Sequence, residues 1–280
     1  MEPVMKWAGG KRQIISKLKE IIPPETLAGH TYFEPFVGGG SVFMALAHTH
    51  AVVNDCNPEL INVYEQIKTN PDEIIRLLEE HNRNHCKEYY YRVREWDRRD
   101  DYNLLPAVAK AARTIYLNRT CFNGLYRVNR SGYFNVPLGS YVSPQIVREP
   151  QIREISAYLN QNDVRILCGD FEAAVQDAKP GDVVYFDPPY DYDDDTAEGF
   201  VRYTADQFSR DTLLRLGALC DRLVDLGCYV VISNNDTEFV NKVFSPDKYK
   251  YIRILGRRMI NNTSEKRHGV NEVILIGRRK

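Results

Sequence analysis

An alternation of short apolar segments with segments of helical periodicity constrains the fold of this chain more than any other feature. Seven segments are rich in β-branched and aromatic residues and predict strands: 31–36, 51–55, 164–170, 183–187, 229–234, 249–255 and 271–277. Helical patterns lie between most of them, at 11–21, 41–47, 58–68, 171–178 and 206–226. This order predicts an α/β fold with a mostly parallel sheet and helices on both faces. The last two strands are joined only by a basic loop, so they should form an antiparallel hairpin at the sheet edge.

Length and composition exclude several classes of protein. The 280 residues are 43% hydrophobic and 27% charged, as in ordinary globular proteins. No run of about eighteen apolar residues predicts a membrane span, and the start, MEPVMKWAGGKR, lacks the apolar stretch of a signal peptide. Six scattered cysteines without metal-ligand spacing favour a cytoplasmic protein with free thiols and no metal. The formal net charge of −1 does not indicate a polyanionic partner, so binding one would require local basic clusters.

The strand–helix alternation is interrupted between residues 71 and 160. This region is first helical and polar, and then carries LNRTCFNGLYRVNRSGYFNVPLGSY, which is rich in Asn, Gly, Arg and Tyr. We interpret it as an inserted helical subdomain, residues 71–160, that ends in a turn-rich hairpin, with residues 1–70 and 161–280 forming the domain that carries the sheet. Surface decoration is the alternative, but loops on a rigid scaffold commonly carry recognition.

A glycine-rich turn in YFEPFVGGGSVFMAL lies between a predicted strand and a predicted helix. Gly38, Gly39 and Gly40 allow the backbone to approach a ligand and leave amide protons at a helix start. The next strand ends in Asp55, and an acid at this position commonly binds a ribose diol. Together these features predict a cofactor that contains a nucleoside. The alternative is a structural turn with a helix-capping Asp.

A second unusual motif is VVYFDPPYDY, in which an apolar strand stops at Asp187. The two prolines that follow cannot continue a sheet ladder, because neither nitrogen carries a proton. A strand-ending turn is the structural alternative to a catalytic role.

The order of five motifs resembles the Dam family of DNA adenine methylases. These motifs are KWAGGKR, EPFVGGGS, VVND, NRTCFNGLYR with FNVP, and DPPY. The resemblance implies a seven-stranded Rossmann-like S-adenosylmethionine methyltransferase sheet with an inserted helical DNA-recognition subdomain. It implies methyl transfer from S-adenosyl-L-methionine to the exocyclic amine of adenine in duplex DNA. We expect the site to be GATC, with the target base flipped out of the duplex.

The resemblance also assigns site residues. Asp187 and the carbonyl of Pro188 are expected to accept hydrogen bonds from the adenine amine, and Tyr190 to stack on the base. The expected cofactor-binding residues are Trp7, Lys11, Phe36, Gly38, Asp55, Asp170, Phe171 and Asp187. For Asp170 and Phe171, a helix N-cap followed by a core aromatic is the alternative.

The expected DNA-binding residues are Arg119, Phe122, Asn123, Leu125, Arg127, Asn129 and Pro137. Arg127 suits a guanine edge, Leu125 a thymine methyl group, and Phe122 a wedge between bases. Arg119 and Arg130 add charge for phosphates. A second basic run, Arg257, Arg258, Lys266, Arg267 and His268, is either a backbone contact or a solvated loop.

Two features depart from the family pattern. The run DYDDD after the proline turn places acids where relatives usually carry apolar and hydroxyl residues, and Ser140 stands where relatives often carry a basic residue.

Two other functions are open: an N-methyltransferase acting on RNA or protein amides, and a non-catalytic DNA-binding regulator. The inserted segment counts against the first and the intact DPPY motif against the second. The expected partner is duplex DNA, and the protein is expected to be a monomer in solution. A cognate restriction endonuclease could accompany it genetically but is not expected to be physically required.

Overall fold

A computed structural model describes residues 1–7, 14–191, 208–255 and 271–277. The strands are β1 (Tyr32–Glu34), β2 (His50–Asp55), β3 (Asp163–Cys168), β4 (Val183–Phe186), β5 (Tyr229–Asn235), β6 (Tyr249–Leu255) and β7 (Asn271–Gly277). They form one sheet in the order β3-β2-β1-β4-β5-β7-β6. The pairs β1–β4, β2–β3 and β4–β5 are parallel, whereas β7 is antiparallel to both β5 and β6. The seven predicted strands and the antiparallel edge hairpin are therefore confirmed.

The helices match most of the predicted segments. They are α1 (Ile15–Ile21), α2 (Pro24–Leu27), α3 (Ser41–Leu46), α4 (Pro58–Thr69), α5 (Pro71–Arg83), α6 (Lys87–Arg94), α7 (Ala107–Thr120), α8 (Glu149–Gln161), α9 (Phe171–Ala174), α10 (Arg210–Leu226) and α11 (Glu238–Val243).

Three predicted helix boundaries were wrong. The helix predicted from 11 begins at Ile15, since Ile14 is its N-cap and the Ile14 carbonyl accepts Leu18 N at 2.8 Å, and residues 11–13 lie outside the described part of the chain. The helix predicted over 171–178 ends at Ala174, because Gln176 and Ala178 donate to carbonyls three residues back, which is tight-turn rather than α-helical bonding. The helix predicted from 206 begins at Arg210, where the Ser209 hydroxyl accepts a bond from Thr212 N and caps it. Residues 206 and 207 lie outside the described part of the chain.

The chain divides into two units, each with its own packing. One comprises residues 1–24 and 37–169, and in it α7 packs against α4 and α5, while α8 packs against α4, α5 and β3. The other comprises residues 25–36 and 170–280, with a core built by the buried strands β4, β5 and β7. The sequence-based domain boundaries at 71 and 160 stay a prediction.

Between α7 and α8 the chain forms the turn-rich hairpin that the sequence indicated. Antiparallel bridges join Cys121 to Leu138 and Val128 to Phe134. Helix α8 was not singled out from the sequence, although its buried Ile152, Ile155 and Leu159 follow the spacing of one helical face.

A buried histidine connects α5 to α7. His81 is 4% exposed, and its ring stacks on Tyr116 with centroids 4.7 Å apart. Its Nδ1 lies 2.8 Å from the Tyr89 hydroxyl. Burial lowers the pKa of His81 from 6.5 to about 4, so its imidazole is neutral at physiological pH.

This histidine should make the protein sensitive to mild acid. The folded pKa lies below the unfolded one, so on acidification the unfolded state binds the proton first. Stability should fall as pH drops from about 6.5 to about 4, by on the order of 3 kcal/mol from this group. Urea unfolding at pH 7.5 and 5 should show a smaller loss for His81→Gln than for the native protein. His50→Gln is the matched control, because His50 is exposed. An equal acid sensitivity of the native and His81→Gln proteins would contradict the assignment.

Candidate active site

The glycine-rich turn before α3 is fixed by the acid at the tip of β2. Gly38 (φ 48°) and Gly40 (φ 72°) adopt left-handed conformations that favour glycine. The Asp55 carboxylate accepts bonds from Gly38 N at 3.1 Å and from Asn57 N at 2.9 Å. Burial raises the pKa of Asp55, while these two backbone donors act in the opposite direction. The carboxylate is thus oriented by the backbone before any ligand binds.

Trp7 occupies the space beside this turn. A Cβ atom on Gly38 would lie 2.9 Å from Trp7 Cδ1, and one on Gly39 would lie 2.9 Å from Trp7 Cβ. The indole also stacks on Tyr126, with centroids 5.4 Å apart. The sequence interpretation attributed the glycines to ligand approach, and the packing of Trp7 is a second reason for them. Lys11 lies outside the described residues.

In the other unit, Phe36 lies in an aromatic cluster. Its ring stacks on Phe171 at 5.3 Å and meets Phe208 edge-on at 5.7 Å. Phe171 is buried, and the Arg215 guanidinium lies 5.2 Å from its ring centre. Asp170 caps α9 by accepting a bond from the N–H of residue 172 and also pairs with Arg215 at 3.2 Å. The structural alternative for Asp170 and Phe171 is therefore observed, and their cofactor role stays a prediction.

The Asp-Pro-Pro-Tyr motif follows β4 directly, and Asp187 lies near the phenols of the fully buried Tyr185 and the half-buried Tyr190. Burial is the main cause that raises the pKa values of Tyr185 and Tyr190 well above their usual range, and the Asp187 carboxylate raises both further. The Tyr185 hydroxyl lies 2.9 Å from Ser233 Oγ, and Ser233 also hydrogen-bonds Tyr190. Both phenols therefore remain neutral at physiological pH, and β5 holds them beside the carboxylate.

Arg127 is held in the hairpin by an asparagine that the sequence analysis missed. Its Nε donates to Asn135 Oδ1 at 2.7 Å, and its carbonyl accepts Asn135 N at 3.0 Å. Among the described residues no other partner of the guanidinium is found, so its two Nη groups are available. Asn135 faces Arg127 across the hairpin, so aligning the strand register around the turn could have found it.

The other predicted DNA-binding residues have varied environments. Phe122 is 49% exposed, and Pro137 and Asn123 are also exposed, the latter with a positive φ of 54°. Leu125 is half-buried. Asn129 Oδ1 accepts bonds from the N–H groups of residues 131 and 133 and so builds the hairpin turn.

The predicted phosphate-binding residues are only partly described. Arg119 is half-buried and donates from Nε to the carbonyl of residue 145 at 2.8 Å, whereas Arg130 is exposed. Arg257, Arg258, Lys266, Arg267 and His268 lie outside the described residues.

Asn118 is a second residue that the sequence analysis missed. It is 1% exposed, its Oδ1 accepts Lys6 N at 2.8 Å, and its Nδ2 donates to Lys6 O at 2.7 Å and Gly124 O at 3.0 Å. It thereby joins the residue before Trp7 to the start of the hairpin. An amide on the buried face of α7 was the available signal.

Within the described residues, no group of His, Cys, Asp and Glu side chains could hold a metal ion. No helix in the same residues is long and apolar enough to cross a membrane.

The strand order, the glycine-rich turn and the acids that follow β2 and β4 are the features that the sequence resemblance led us to expect of a methyltransferase that uses S-adenosyl-L-methionine. The chain belongs to the D12 class of N6 adenine-specific DNA methyltransferases, since the sequence model of this family matches residues 7–260. Its cofactor is S-adenosyl-L-methionine, its substrate is DNA, and the resemblance to the Dam family is confirmed.

Curated relatives span nearly the whole chain. The Type II methyltransferase M1.LlaDCHI of Lactococcus lactis subsp. cremoris is 40% identical to this chain. The alignment covers 98% of this chain and 95% of the relative. The Type II methyltransferase M.MjaIII of Methanocaldococcus jannaschii is 36% identical, with 99% of each chain covered. The DNA adenine methylase of Escherichia coli K12 is 30% identical, and the alignment covers 97% of this chain and 94% of the relative.

Proposed function

We propose that the chain methylates the N6 amine of adenine in GATC sites of duplex DNA, after the target adenine has been flipped out of the helix. The position of Asp187 supports base flipping. This carboxylate lies at the end of a buried strand, beside phenols that burial keeps neutral. An adenine stacked in a duplex could not bring its amine to such a group, so the base must leave the stack.

In this mechanism the protein prepares the amine for attack. Asp187 and the carbonyl of Pro188 accept hydrogen bonds from the two N–H groups of the amine, which shifts the nitrogen toward a tetrahedral form with an available lone pair. The proline pair fixes the direction of that carbonyl. Tyr190 stacks on the flipped base. The sulfonium cofactor supplies an activated methyl group, so no metal is required.

Several described residues have the chemistry that parts of this cofactor require. The Asp55 carboxylate is already oriented by two backbone donors and retains lone pairs for a ribose diol. Phe36 and Phe171 offer aromatic faces suited to an adenine ring. We assign Gly38, Trp7, Lys11 and Asp170 to the remaining cofactor contacts, and Asp187 to the methyl-donor end.

We assign sequence recognition to the hairpin. Arg127, oriented by Asn135, binds a guanine edge through its free Nη groups. Leu125 contacts a thymine methyl group, and the exposed Phe122 wedges between bases. Asn123, Asn129 and Pro137 line the same hairpin, and Arg119 contributes charge toward the phosphates.

We further propose that residues 71–160 form the target-recognition domain and that residues 1–70 and 161–280 form the catalytic domain. We also propose that the protein is bacterial or phage-encoded and acts on the chromosome as a cytoplasmic monomer. A cognate restriction endonuclease is not physically required, although two relatives carry the name Type II methyltransferase.

Labelled methyl transfer tests this function. The purified protein, with S-adenosyl-L-methionine labelled in its methyl group, should label duplex DNA but not RNA or protein. Single-molecule sequencing of the product should place N6-methyladenine in GATC. Label in RNA or protein would support a different N-methyltransferase, no transfer would support a non-catalytic regulator, and modification at another sequence would contradict the assigned site.

Replacing Asp55 should weaken cofactor binding. Asp55→Asn keeps one acceptor oxygen but removes the charge, and we expect a loss of about 1.5–3 kcal/mol in the binding of S-adenosylhomocysteine. Calorimetry measures this affinity, and a melting curve checks the fold. Asp163→Asn is the matched control, because Asp163 is an exposed acid at the start of β3. Unchanged affinity would assign Asp55 to a purely structural role.

A further inference from the structure

The acidic run after the proline motif begins with a residue that is almost completely enclosed. The Asp191 side chain is only 10% exposed, and its partners Asn234, Asn235 and Thr237 are buried. A carboxylate is expensive to bury, so its environment must supply compensating bonds. Asp191 therefore differs from an acid whose role is only to add surface charge.

Four contacts hold Asp191, and they come from three elements of one unit. At the carboxyl end of β5, Asn234 Oδ1 accepts Asp191 N at 3.0 Å, and Asn235 Nδ2 donates to Asp191 O at 2.7 Å. The hydroxyl of Thr237, the N-cap of α11, donates to Asp191 Oδ2 at 2.6 Å. Arg210, the first residue of α10, pairs with Asp191 Oδ1 at 3.5 Å. Backbone and side chain are thus both fixed.

The partners are themselves restrained. Asn234 Oδ1 also accepts Asn235 N at 2.8 Å, and the Thr237 hydroxyl accepts Val240 N at 3.1 Å. The Arg210 guanidinium lies 4.8 Å from the ring centre of Phe239. The bonds to Asp191 therefore connect it to the sheet and to two helix starts rather than to a flexible surface.

We propose that Asp191 is a positioning residue that fixes the carboxyl end of the Asp187–Tyr190 turn on β5, α10 and α11, and so orients Tyr190 and Asp187 for methyl transfer. One peptide bond separates Asp191 from Tyr190, so a shift of the anchor moves the phenol directly. The next residue inward on β5, Ser233, holds the same turn from the other side through Tyr185 and Tyr190. This role also explains how an acid is tolerated next to the catalytic turn, because its charge is balanced by Arg210 and the Thr237 hydroxyl. The proposal relies on the catalytic role assigned to Asp187.

The test separates turnover from binding. Asp191→Ala should lower kcat by about 10-fold to 100-fold, as expected when a reacting geometry is misplaced. The Kd values for S-adenosylhomocysteine and for duplex DNA should change by less than about threefold, because neither ligand is bound by this residue. Asp191→Asn keeps an acceptor for the Thr237 hydroxyl, so its kcat should be close to that of the native protein. Asp193→Ala removes the same charge from the run and should leave kcat unchanged.

Thr237 provides an independent variant if Asp191→Ala is unstable. Thr237→Val removes the hydroxyl that bonds Asp191, whereas Thr237→Ser keeps it. The serine variant should retain kcat and the valine variant should lose it, and combining Thr237→Val with Asp191→Ala should cost no more than Asp191→Ala alone. An unchanged kcat in both Asp191→Ala and Thr237→Val would overturn the proposal, as would an equal loss in Asp193→Ala. Asp187→Ala, assayed in parallel, reports separately on the catalytic assignment, since its full activity would reject that assignment whatever Asp191 does.

Discussion

Asp187→Ala should lower the turnover number for methyl transfer by about 10²–10³-fold or more. The hydrogen bond from the amine N–H to this carboxylate should be strongest as the nitrogen becomes tetrahedral. The carboxylate should therefore stabilise the transition state more than the bound substrate. Binding of duplex DNA should remain within about tenfold of the native protein, because we assign the phosphate and base-edge contacts to other residues. Single-turnover assays with labelled cofactor measure the chemical step, and fluorescence anisotropy measures DNA binding.

Two further variants sharpen this experiment. Asp187→Asn keeps one acceptor oxygen in the same place and should retain more activity than the alanine variant. Asp163→Asn, at an exposed acid on β3, should behave like the native protein. If Asp187→Ala keeps a tenth or more of native turnover, the motif does not have the role assigned to it.

Arg127→Ala should abolish the preference for one base pair of the site. Loss of a bidentate contact to guanine should remove about 1–3 kcal/mol of discrimination. The rate at the cognate site should fall, while the rate at a site altered only at that base pair should fall far less. A panel of duplexes with single substitutions measures this ratio, beside a melting curve and cofactor affinity.

The hairpin supplies matched controls for Arg127. Arg127→Lys keeps the charge but loses the planar fork, so it should lose discrimination as well. Asn135→Ala leaves Arg127 in place without its Nε partner and should have an intermediate effect. Arg130→Ala, at an exposed arginine, should weaken binding to all sequences alike and reduce the salt dependence. Native preference at every position in Arg127→Ala would reject the base contact.

The seven strands and the antiparallel edge hairpin followed from the sequence alone. Apolar runs such as 183–187 and 229–234 are rich in β-branched and aromatic residues and are too short for typical helices, and the connection before β7 carries no helical pattern that would indicate a parallel crossover. The motifs could also be recognised in the sequence. Glycines and a proline pair restrict or release the backbone locally, so their effect does not depend on distant segments. The early end of α9 was missed because its apolar pattern continues beyond Ala174 while the backbone turns.

The sequence thus determined the strands of the sheet and the family, while the catalytic and binding residues stay a prediction. Only the tertiary structure showed that Trp7 packs on the glycine turn, that Asn135 orients Arg127, and that Asp191 is enclosed rather than exposed. The sequence could not show the environment of Asp191, because its partners Asn234 and Thr237 lie 43 and 46 residues further along the chain. Helical and strand periodicities depend on near neighbours in sequence, whereas the partner of a buried polar group depends on which distant segments the packed sheet brings to the same strand end.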